Sequence, residues 1–412
     1  DILFAFPGET LCLDHRFRLT GPGAAGPGQH FLPVLDDWWQ SLRQPADTER
    51  FIPFTGGWFV FLGYELVREI EPSIRPQQPP TGPVAFATRI PVAVVRNRHN
   101  GRAWITAEPE HSGAVALVAQ DVLACRTRPD ETPPGNAVVT GIVEPDPAAF
   151  LRAVDTIRQL IARGDVYQVN LARRWAGKIS PDVQPGDIYR RLRRTNPAPY
   201  AGLATLGDWS LISSSPERLV RSRNGLVETR PIAGTHPTAD DPGREEATRR
   251  DLLANPKERA EHIMLIDLER NDLGRICQPG SVEVDEFMAV ESYAHVHHIV
   301  SNVRGRLRAG VSPGELIRAV FPGGTITGCP KVRCMELISE LEHLARGPYT
   351  GSMGYLNRDG SCDLNILIRS FVLHGRDLSF AAGSGIVADS DPARELEETR
   401  AKAKGLLLAL GG

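Results

Sequence analysis

The chain has 412 residues, of which 41% are hydrophobic and 24% are charged, and its formal net charge is −3. This length and composition are ordinary for a globular protein with one large or two smaller domains. The small net charge gives no reason to expect nucleic acid or an anionic membrane as a partner, because both recruit strongly basic surfaces.

The cysteines indicate neither a metal site nor a disulfide framework. The six are scattered, without a C-x-x-C pair: Cys12, Cys125, Cys277, Cys329, Cys334 and Cys362. Such spacing fits a reducing compartment. No apolar run reaches the roughly 20 residues of a spanning helix. The first residues lack the basic segment of a signal peptide. We therefore expect a cytoplasmic protein.

The first third of the chain alternates short apolar runs with glycine and proline turns. Residues 58–62, 84–88 and 91–96 are predicted strands, and 97–101 is a polar turn. The segment 114–126 has the pattern of an amphipathic helix. The run 128–135 (RPDETPPG) is rich in helix and strand breakers. It predicts a boundary between an N-terminal subdomain, residues 1–135, and a second domain, residues 145–410.

The rest of the chain predicts longer helices that alternate with strands. A helix over 150–163 leads into an alternating strand over 165–171. Asn255, Pro256 and Glu258 have the order of an N-cap, first helical position and capping residue. Asp391 and Pro392 start a second acidic helix in the same way. Patterning alone supports mixed α and β structure.

Three acidic side chains on these two helices allow two interpretations each. Glu261 lies near the start of its helix, where a carboxylate can simply favour the helix dipole. Glu395, Glu398 and Lys402 are spaced i, i+3 and i+7 and share one helix face. They could form a surface ion-pair ladder. Alternatively, carboxylates from both helices could hold magnesium, which prefers one or two carboxylates plus water and substrate oxygens.

Several loops have binding character that is weak when each is taken alone. Glycines at 383 and 385 follow a strand and would let backbone amides approach an anion. The loop 321–331 lacks the spacing of a phosphate-binding P-loop. The histidines at 295, 297 and 298 have no acidic or cysteine partner nearby in sequence and make a poor metal site. The run 230–237 (RPIAGTHP) could be a turn or a pocket wall.

Taken in order, these segments resemble the chorismate-utilising enzymes, which include the component I chains of anthranilate synthase and aminodeoxychorismate synthase. The matching motifs lie at 167–171, 215–217, 231–235, 261–267, 270–274, 298, 323–331, 368–369, 383–385 and 395–402. They span nearly all of the second predicted domain. The resemblance implies an α+β fold in which two packed antiparallel β-sheets are surrounded by helices.

The resemblance also implies a role for each matching residue. Glu261 and Glu398 would hold Mg²⁺ on the ring carboxylate of chorismate, with Glu395 in support. Glu217 would be the general acid that protonates the departing 4-hydroxyl, while His298 and Thr325 would line the ring. The remaining substrate contacts would come from Ala233, Gly234, Thr235, Tyr349, Arg369, Gly383, Ser384, Gly385 and Lys402.

The nucleophile separates the branches of this family. Water needs a base, and relatives that add water carry lysine at the position of Gln168. A glutamine amide cannot remove a proton near neutral pH, whereas ammonia is already nucleophilic. The motifs at 167–171, 323–328 and 354–356 resemble the aminodeoxychorismate branch, which leads to para-aminobenzoate and folate. We therefore expect an aminodeoxychorismate synthase, with anthranilate synthase as the alternative.

Ala233 departs from many aminodeoxychorismate synthases, which carry lysine there to attack C2. Ammonia or another nucleophile would have to attack C2 first here, before a second amination at C4. The chain lacks a Gly-x-Cys-x-Gly elbow for glutamine hydrolysis, so we expect a separate glutamine amidotransferase subunit. The run 196–200 resembles part of the tryptophan pocket of anthranilate synthases, which leaves bound tryptophan open. A non-catalytic chorismate-binding homologue is a further alternative.

Overall fold

The architecture is known from a computed structural model that describes residues 1–46, 51–79, 81–125, 139–237, 250, 253–292 and 296–411. The α-helices in these ranges are α1 (Phe31–Leu42), α2 (Val67–Ile70), α3 (Ala114–Cys125), α4 (Pro147–Ala162), α5 (Pro185–Thr195), α6 (Pro256–Gly274), α7 (Pro313–Val320), α8 (Lys331–Leu341) and α9 (Pro392–Ala409).

The strands are short in the first third of the chain and longer towards its end. In chain order they are β1 (Ile2–Ala5), β2 (Thr10–Asp14), β3 (Leu19–Thr20), β4 (Gly57–Leu62), β5 (Pro83–Ile90), β6 (Val92–Arg96), β7 (Ala103–Ala107), β8 (Val139–Val143), β9 (Gln168–Ile179), β10 (Tyr200–Leu206), β11 (Trp209–Ser215), β12 (Arg218–Arg223), β13 (Leu226–Arg230), β14 (Ile232–Pro237), β15 (Glu283–Ser292), β16 (Val296–Arg306), β17 (Gly328–Cys329), β18 (Ser352–Asn357), β19 (Cys362–Asn365), β20 (Ser370–His374) and β21 (Asp377–Ile386).

These strands form two large antiparallel sheets and one small one. The larger sheet has the order β14-β16-β13-β12-β19-β18-β4-β5-β2-β3, with β15 also paired to β16. The second runs β10-β11-β20-β21-β9-β17, with β8 paired to β9. The prediction of two packed antiparallel sheets is confirmed, and the three-stranded sheet β1-β6-β7 is an addition that the sequence did not suggest.

A shared apolar layer joins the two large sheets. Phe61 and Phe86 of the larger sheet pack against Trp209 and Leu211 of the second. The outer face of the second sheet is covered by α5 and α9, and the larger sheet is covered by α1, α6 and α7. In strand β9, successive side chains point to opposite faces of the second sheet. Trp175 therefore packs in the core beneath the helices, while Arg174 points to the other face.

Most predicted elements are confirmed within one or two residues. The predicted strands at 58–62, 84–88 and 91–96 correspond to β4, β5 and β6. The amide of Glu258 donates to Asn255 Oδ1 at 3.4 Å, and the amide of Arg394 donates to Asp391 Oδ1 at 2.9 Å. Both N-caps therefore start their helices as expected. The strand predicted over 165–171 continues to Ile179, because β9 pairs along its length with β21.

The two predicted domains share the larger sheet. Strand β4, from the N-terminal part, pairs with β18 over the register Ser352↔Leu62 to Asn357↔Gly57. The predicted linker, residues 128–135, lies outside the described residues. The division of the chain at this point therefore stays a prediction. None of the helices in the described ranges is long and apolar enough to cross a membrane. All six cysteines are free thiols.

One buried ion pair ties the second sheet to the loop that precedes β17. The Arg346 guanidinium and the Glu342 carboxylate pair at 2.6 Å, with 2% and 6% of their side chains exposed. Arg346 also donates to the carbonyls of Asn170 at 2.8 Å and Ile326 at 3.0 Å. Glu342 accepts from the amide of Ala172 at 2.9 Å. Strand β9 and the loop that precedes β17 are thus held by the same two charges.

We expect Glu342→Gln to lower the free energy of unfolding by about 3–5 kcal/mol, because it leaves a buried guanidinium without its counter-charge. Urea denaturation followed by circular dichroism measures this loss. The matched control is Asp155→Asn, which breaks the exposed pair with Arg158 at 3.5 Å and should cost at most about 1 kcal/mol. Equal losses in the two variants would contradict a structural role for the buried pair.

Candidate active site

The pairing of β9 with β21 places the predicted glycine loop next to the amide side chains of Gln168 and Asn170. Gly383 lies opposite Ala172 and Gly385 lies opposite Asn170. A Cβ atom on Gly383 would lie 2.6 Å from Asn170 Oδ1 and 2.7 Å from the Tyr349 hydroxyl. Only glycine fits at this position, because the neighbouring polar groups already occupy the space.

Helix α9 places its acidic face on the same loop. The Ser384 hydroxyl donates to the buried carboxylate of Glu395. Lys402 Nζ donates to the Gly383 carbonyl at 3.0 Å and pairs with Glu398 Oε1 at 2.7 Å. The interpretation of this face as a purely surface ladder is therefore incomplete, since Lys402 and Glu395 both bond to residues of β21.

Glu217 lies between β11 and β12 with only 5% of its surface exposed. Burial raises the pKa of its carboxyl from 4.5 to about 7. Thr325, Arg369, Lys402 and the backbone amide of Ile232 oppose this shift by stabilising the charged form. Residues from four other segments of the chain therefore surround the Glu217 carboxyl group. With a pKa of about 7, this group is partly protonated near neutral pH.

Four buried polar atoms at this place have no hydrogen-bond partner within the described part of the chain. They are Glu217 Oε1, Thr325 Oγ1, Gln168 Oε1 and Asn170 Oδ1. The Thr325 hydroxyl thus influences Glu217 without the geometry of a proper hydrogen bond. Because buried polar groups are normally satisfied, such a concentration indicates a site that a polar ligand completes.

Tyr349 and Arg369 flank the same carboxyl group. Tyr349 is buried, and burial raises the pKa of its phenol, with a further contribution from the charge of Glu217. Arg369 adopts a φ of 51°, and its carbonyl accepts from the amide of Ser214 at 3.1 Å. Non-glycine residues seldom adopt this left-handed conformation, and such strain concentrates at functional sites.

The remaining predicted pocket residues lie on β14, β16 and α6. Ala233 pairs with Ile299, and Thr235 pairs with the buried His298. Gly234 lies between them in β14, and the side-chain surroundings of Thr235 are outside the described detail. Glu261 is partly buried on α6, which contacts both strands.

The three predicted magnesium ligands do not form a ready-made cluster. Of the described residues, one group of three has candidate ligand atoms within 4.8 Å of one another, namely Glu108, Glu110 and His111. That group lies in the first third of the chain, and Arg89 and Arg358 already pair with Glu108. Glu261 and Glu398 offer the hard carboxylate oxygens that magnesium prefers, so their chemistry fits the ion. Magnesium binding stays a prediction.

Two sets of polar residues near the cleft, which is the space around Glu217, Arg369 and Gly383, were not identified from the sequence. Glu269 is buried near Glu217, and burial together with the charge of Asp272 raises the pKa of its carboxyl. Asp272 in turn pairs with Lys331 at the start of α8. The sequence alone shows this lysine only as the last residue of the loop 321–331, because its partner lies 59 residues away along the chain. Asn170 could have been found, because alternation places it on the same face of β9 as Gln168.

Comparison with known proteins identifies the same group of enzymes. The profile of the chorismate binding enzymes matches residues 17–408. An anthranilate synthase component I-like protein of Synechocystis sp. is 41% identical over 364 residues, which cover 88% of this chain and 74% of that protein. Aminodeoxychorismate synthase component 1 of Bacillus subtilis is 40% identical over 390 residues, which cover 92% of this chain and 82% of that protein.

A solved structure agrees with these matches. Anthranilate synthase component I from Streptococcus pneumoniae superposes with a TM-score of 0.86 at 32% identity, covering 98% of this chain and 91% of that one. The fold and the site thus define the class as chorismate-utilising α+β enzymes. The chain belongs to the chorismate-binding enzyme family, which confirms the resemblance seen in its motifs. The relatives named for anthranilate synthase and for aminodeoxychorismate synthase match at nearly equal identity.

We expect Glu217→Gln to change how stability depends on pH. The folded protein binds the Glu217 proton more tightly than the unfolded chain, because the pKa rises from 4.5 to about 7. The contribution of this proton to stability is therefore complete below pH 4.5 and lost as the pH rises through 7. The glutamine variant should gain stability relative to the wild type between pH 5 and pH 8, measured by urea denaturation.

Glu65 is present in both proteins and cancels in this difference. Glu269 is also present in both, but the charge of Glu217 contributes to its raised pKa, so its change in the variant adds to the difference in the same direction. Parallel pH profiles for wild type and variant would show that Glu217 titrates normally in the folded protein.

Proposed function

We propose that this protein is the component I chain of an aminodeoxychorismate synthase, which aminates chorismate to 4-amino-4-deoxychorismate. The observation that carries chorismate chemistry is the buried Glu217 carboxyl, with a pKa of about 7 beside Thr325, Arg369 and Lys402. A carboxylic acid that is partly protonated at neutral pH, close to two cations, suits proton donation to a leaving group on an anionic substrate.

Substrate binding would use the cations and hydroxyls around this acid. Arg369, Tyr349 and the amides of Gly383, Ser384 and Gly385 would hold the enolpyruvyl carboxylate through charge-assisted hydrogen bonds. Thr325, His298, Ala233, Gly234 and Thr235 would line the ring. The buried oxygens of Gln168 and Asn170 lie next to the glycine loop and would accept hydrogen bonds from an N–H donor such as ammonia.

Glu217 would donate its proton to the C4 hydroxyl as the C4–O bond breaks, so that water leaves. With alanine at 233, ammonia would first add at C2 with loss of this hydroxyl, and a second ammonia would then add at C4 while the C2 amine leaves. The net reaction consumes one ammonia and releases one water. The ionised Glu217 recovers its proton from the ammonium formed.

Magnesium, when bound by Glu261 and Glu398 with Glu395 in support, would neutralise the ring carboxylate and act as a Lewis acid. Lys402 holds Glu398 in place on the same helix. These side chains orient the ring carboxylate and keep the negative charge of the substrate balanced.

Anthranilate synthesis is the second candidate, and Ala233 is the observation that favours it. An alanine at this position is typical of anthranilate synthases, and the Synechocystis and Streptococcus relatives carry that name. We favour the aminodeoxychorismate branch because of the motifs at 167–171, 323–328 and 354–356 and the similarity to the Bacillus subtilis protein.

The relatives are named as component 1 chains, and this chain lacks a glutamine-hydrolysing elbow. We therefore propose that a separate glutamine amidotransferase subunit supplies ammonia. Bound tryptophan at residues 196–200 stays a prediction.

With chorismate, Mg²⁺ and an ammonium salt at alkaline pH, the chain should form a non-fluorescent product that retains the pyruvyl group. Mass spectrometry identifies this product, and addition of an aminodeoxychorismate lyase should convert it to para-aminobenzoate. Fluorescent anthranilate with released pyruvate as the main product would instead establish the second candidate.

Two controls sharpen this assay. Glu217→Gln removes the proton donor and should lower turnover by roughly 10²–10⁴-fold. Glutamine should replace the ammonium salt only after an amidotransferase subunit is added. If chorismate binds but neither product forms, the chain is a non-catalytic homologue.

Glu398→Gln should raise the Mg²⁺ concentration needed for half-maximal turnover by roughly tenfold or more, because it removes one charged oxygen ligand. The matched control is Glu397→Gln, since the neighbouring Glu397 is 67% exposed and pairs with Arg400 at 2.6 Å. Magnesium titration of steady-state rates measures both. The same magnesium requirement in the two variants would exclude Glu398 as a ligand.

A further inference from the structure

A second cavity lies behind Tyr349, between the segment that carries Pro79, Thr81 and Pro83 and the inner face of the second sheet. Its walls come from β9, β11, β20, β21 and the turn before β18. The residues that matter for its chemistry are Arg174, Trp209, Pro348, Tyr349 and Ser379. Nothing in the proposed chorismate chemistry uses this space, although Tyr349 separates it from the glycine loop.

Arg174 is the unusual member of this lining. Its Nη2 donates to Ser379 Oγ at 3.0 Å. Throughout the part of the chain that the structure describes, no carboxylate lies within 4.0 Å of its guanidinium. The neighbouring arginines differ: Arg173 pairs with Glu144 at 2.8 Å, and Arg346 pairs with Glu342. A partly buried cation therefore faces the cavity with one neutral hydrogen-bond partner.

The charge balance favours an anion in this cavity. Burial lowers the pKa of Arg174, and only the more distant Glu65 opposes that shift. Arg346 also borders the space, but its donors are already occupied by Glu342, Thr350 and the carbonyls of Asn170 and Ile326. A cation removed from water is costly unless an opposite charge accompanies it. Arg174 is thus the group available to a ligand.

The other walls and the size limit the ligand further. Trp209, Pro83 and Pro348 present flat apolar surfaces. The cavity measures about 60 Å³. A cavity that accommodates a benzene ring measures about 150 Å³, so this one is too small for a ring and suits a short-chain ligand.

We propose that this cavity binds a small aliphatic carboxylate, whose carboxylate group pairs with Arg174 and Ser379 and whose alkyl chain packs against Trp209. The Ser370 hydroxyl also borders the space. The site is distinct from the chorismate cleft and does not depend on which amination product the enzyme forms. Because Tyr349 borders both, an occupant would hold this tyrosine against Gly383.

Titration calorimetry with propionate tests the proposal on the full chain. Propionate should bind with one site per chain, and Arg174→Gln should weaken its binding at least tenfold, while Arg174→Lys, which keeps the charge, should retain most of the affinity. The matched control Arg152→Gln alters an arginine that is 72% exposed on α4 and should change nothing. Circular dichroism verifies that each variant is folded.

Arg369→Gln locates the bound propionate, because Arg369 belongs to the proposed chorismate cleft. Binding that survives Arg369→Gln and fails in Arg174→Gln supports the cavity behind Tyr349. Binding lost only in Arg369→Gln, or equal affinity in Arg174→Gln and wild type, overturns the proposal. Affinity for inorganic phosphate without affinity for propionate overturns the proposed ligand class, and the absence of any propionate binding at ~10 mM overturns the site.

Discussion

The buried pair of Arg346 and Glu342 is the interaction on which the cleft depends. A guanidinium in the interior needs a counter-charge and an acceptor for each donor, and here those acceptors belong to different segments. The carbonyls of Asn170 and Ile326 fix β9 and the loop before β17, while Thr350 fixes the turn beside Tyr349. A shift in any one of these segments would leave a buried charge unsatisfied, so their relative positions are set by one charge pair.

The second buried charged group, Glu217 in the cleft, is controlled chiefly by desolvation. Glu217 is buried and has no direct ion pair with any residue that the structure describes, so desolvation holds its proton, while Arg369 and Lys402 limit how far the pKa rises. If these cations were closer, Glu217 would ionise and lose its function as an acid. If they were absent, an anionic substrate would have nothing to bind. The same two cations can therefore serve substrate binding and proton transfer.

Much of the site could be predicted from the sequence because its residues occur in short motifs with local physical signals. Asn255 and Asp391 predicted the starts of α6 and α9. The glycines at 383 and 385 predicted that other groups pack closely against the backbone there. The contacts of Arg346, Arg174 and Lys331 had no such signal. Arg346 follows a helix end, where an arginine is usually solvated, and its acceptor on β9 lies 176 residues away. Pairing at that distance depends on chain path, which local patterns do not encode.

The sequence by itself determined the helix starts, the two-residue alternation of β9, the family resemblance and the types of residue available for acid, cation and metal chemistry. These follow from backbone capping, side-chain periodicity and the chemistry of individual groups. Only the tertiary structure decided that the N-terminal strands join the catalytic sheet, that Glu217 is desolvated, and that Arg174 faces a cavity without a carboxylate. Burial and electrostatic fields arise from segments brought together by folding, so they exist only in three dimensions.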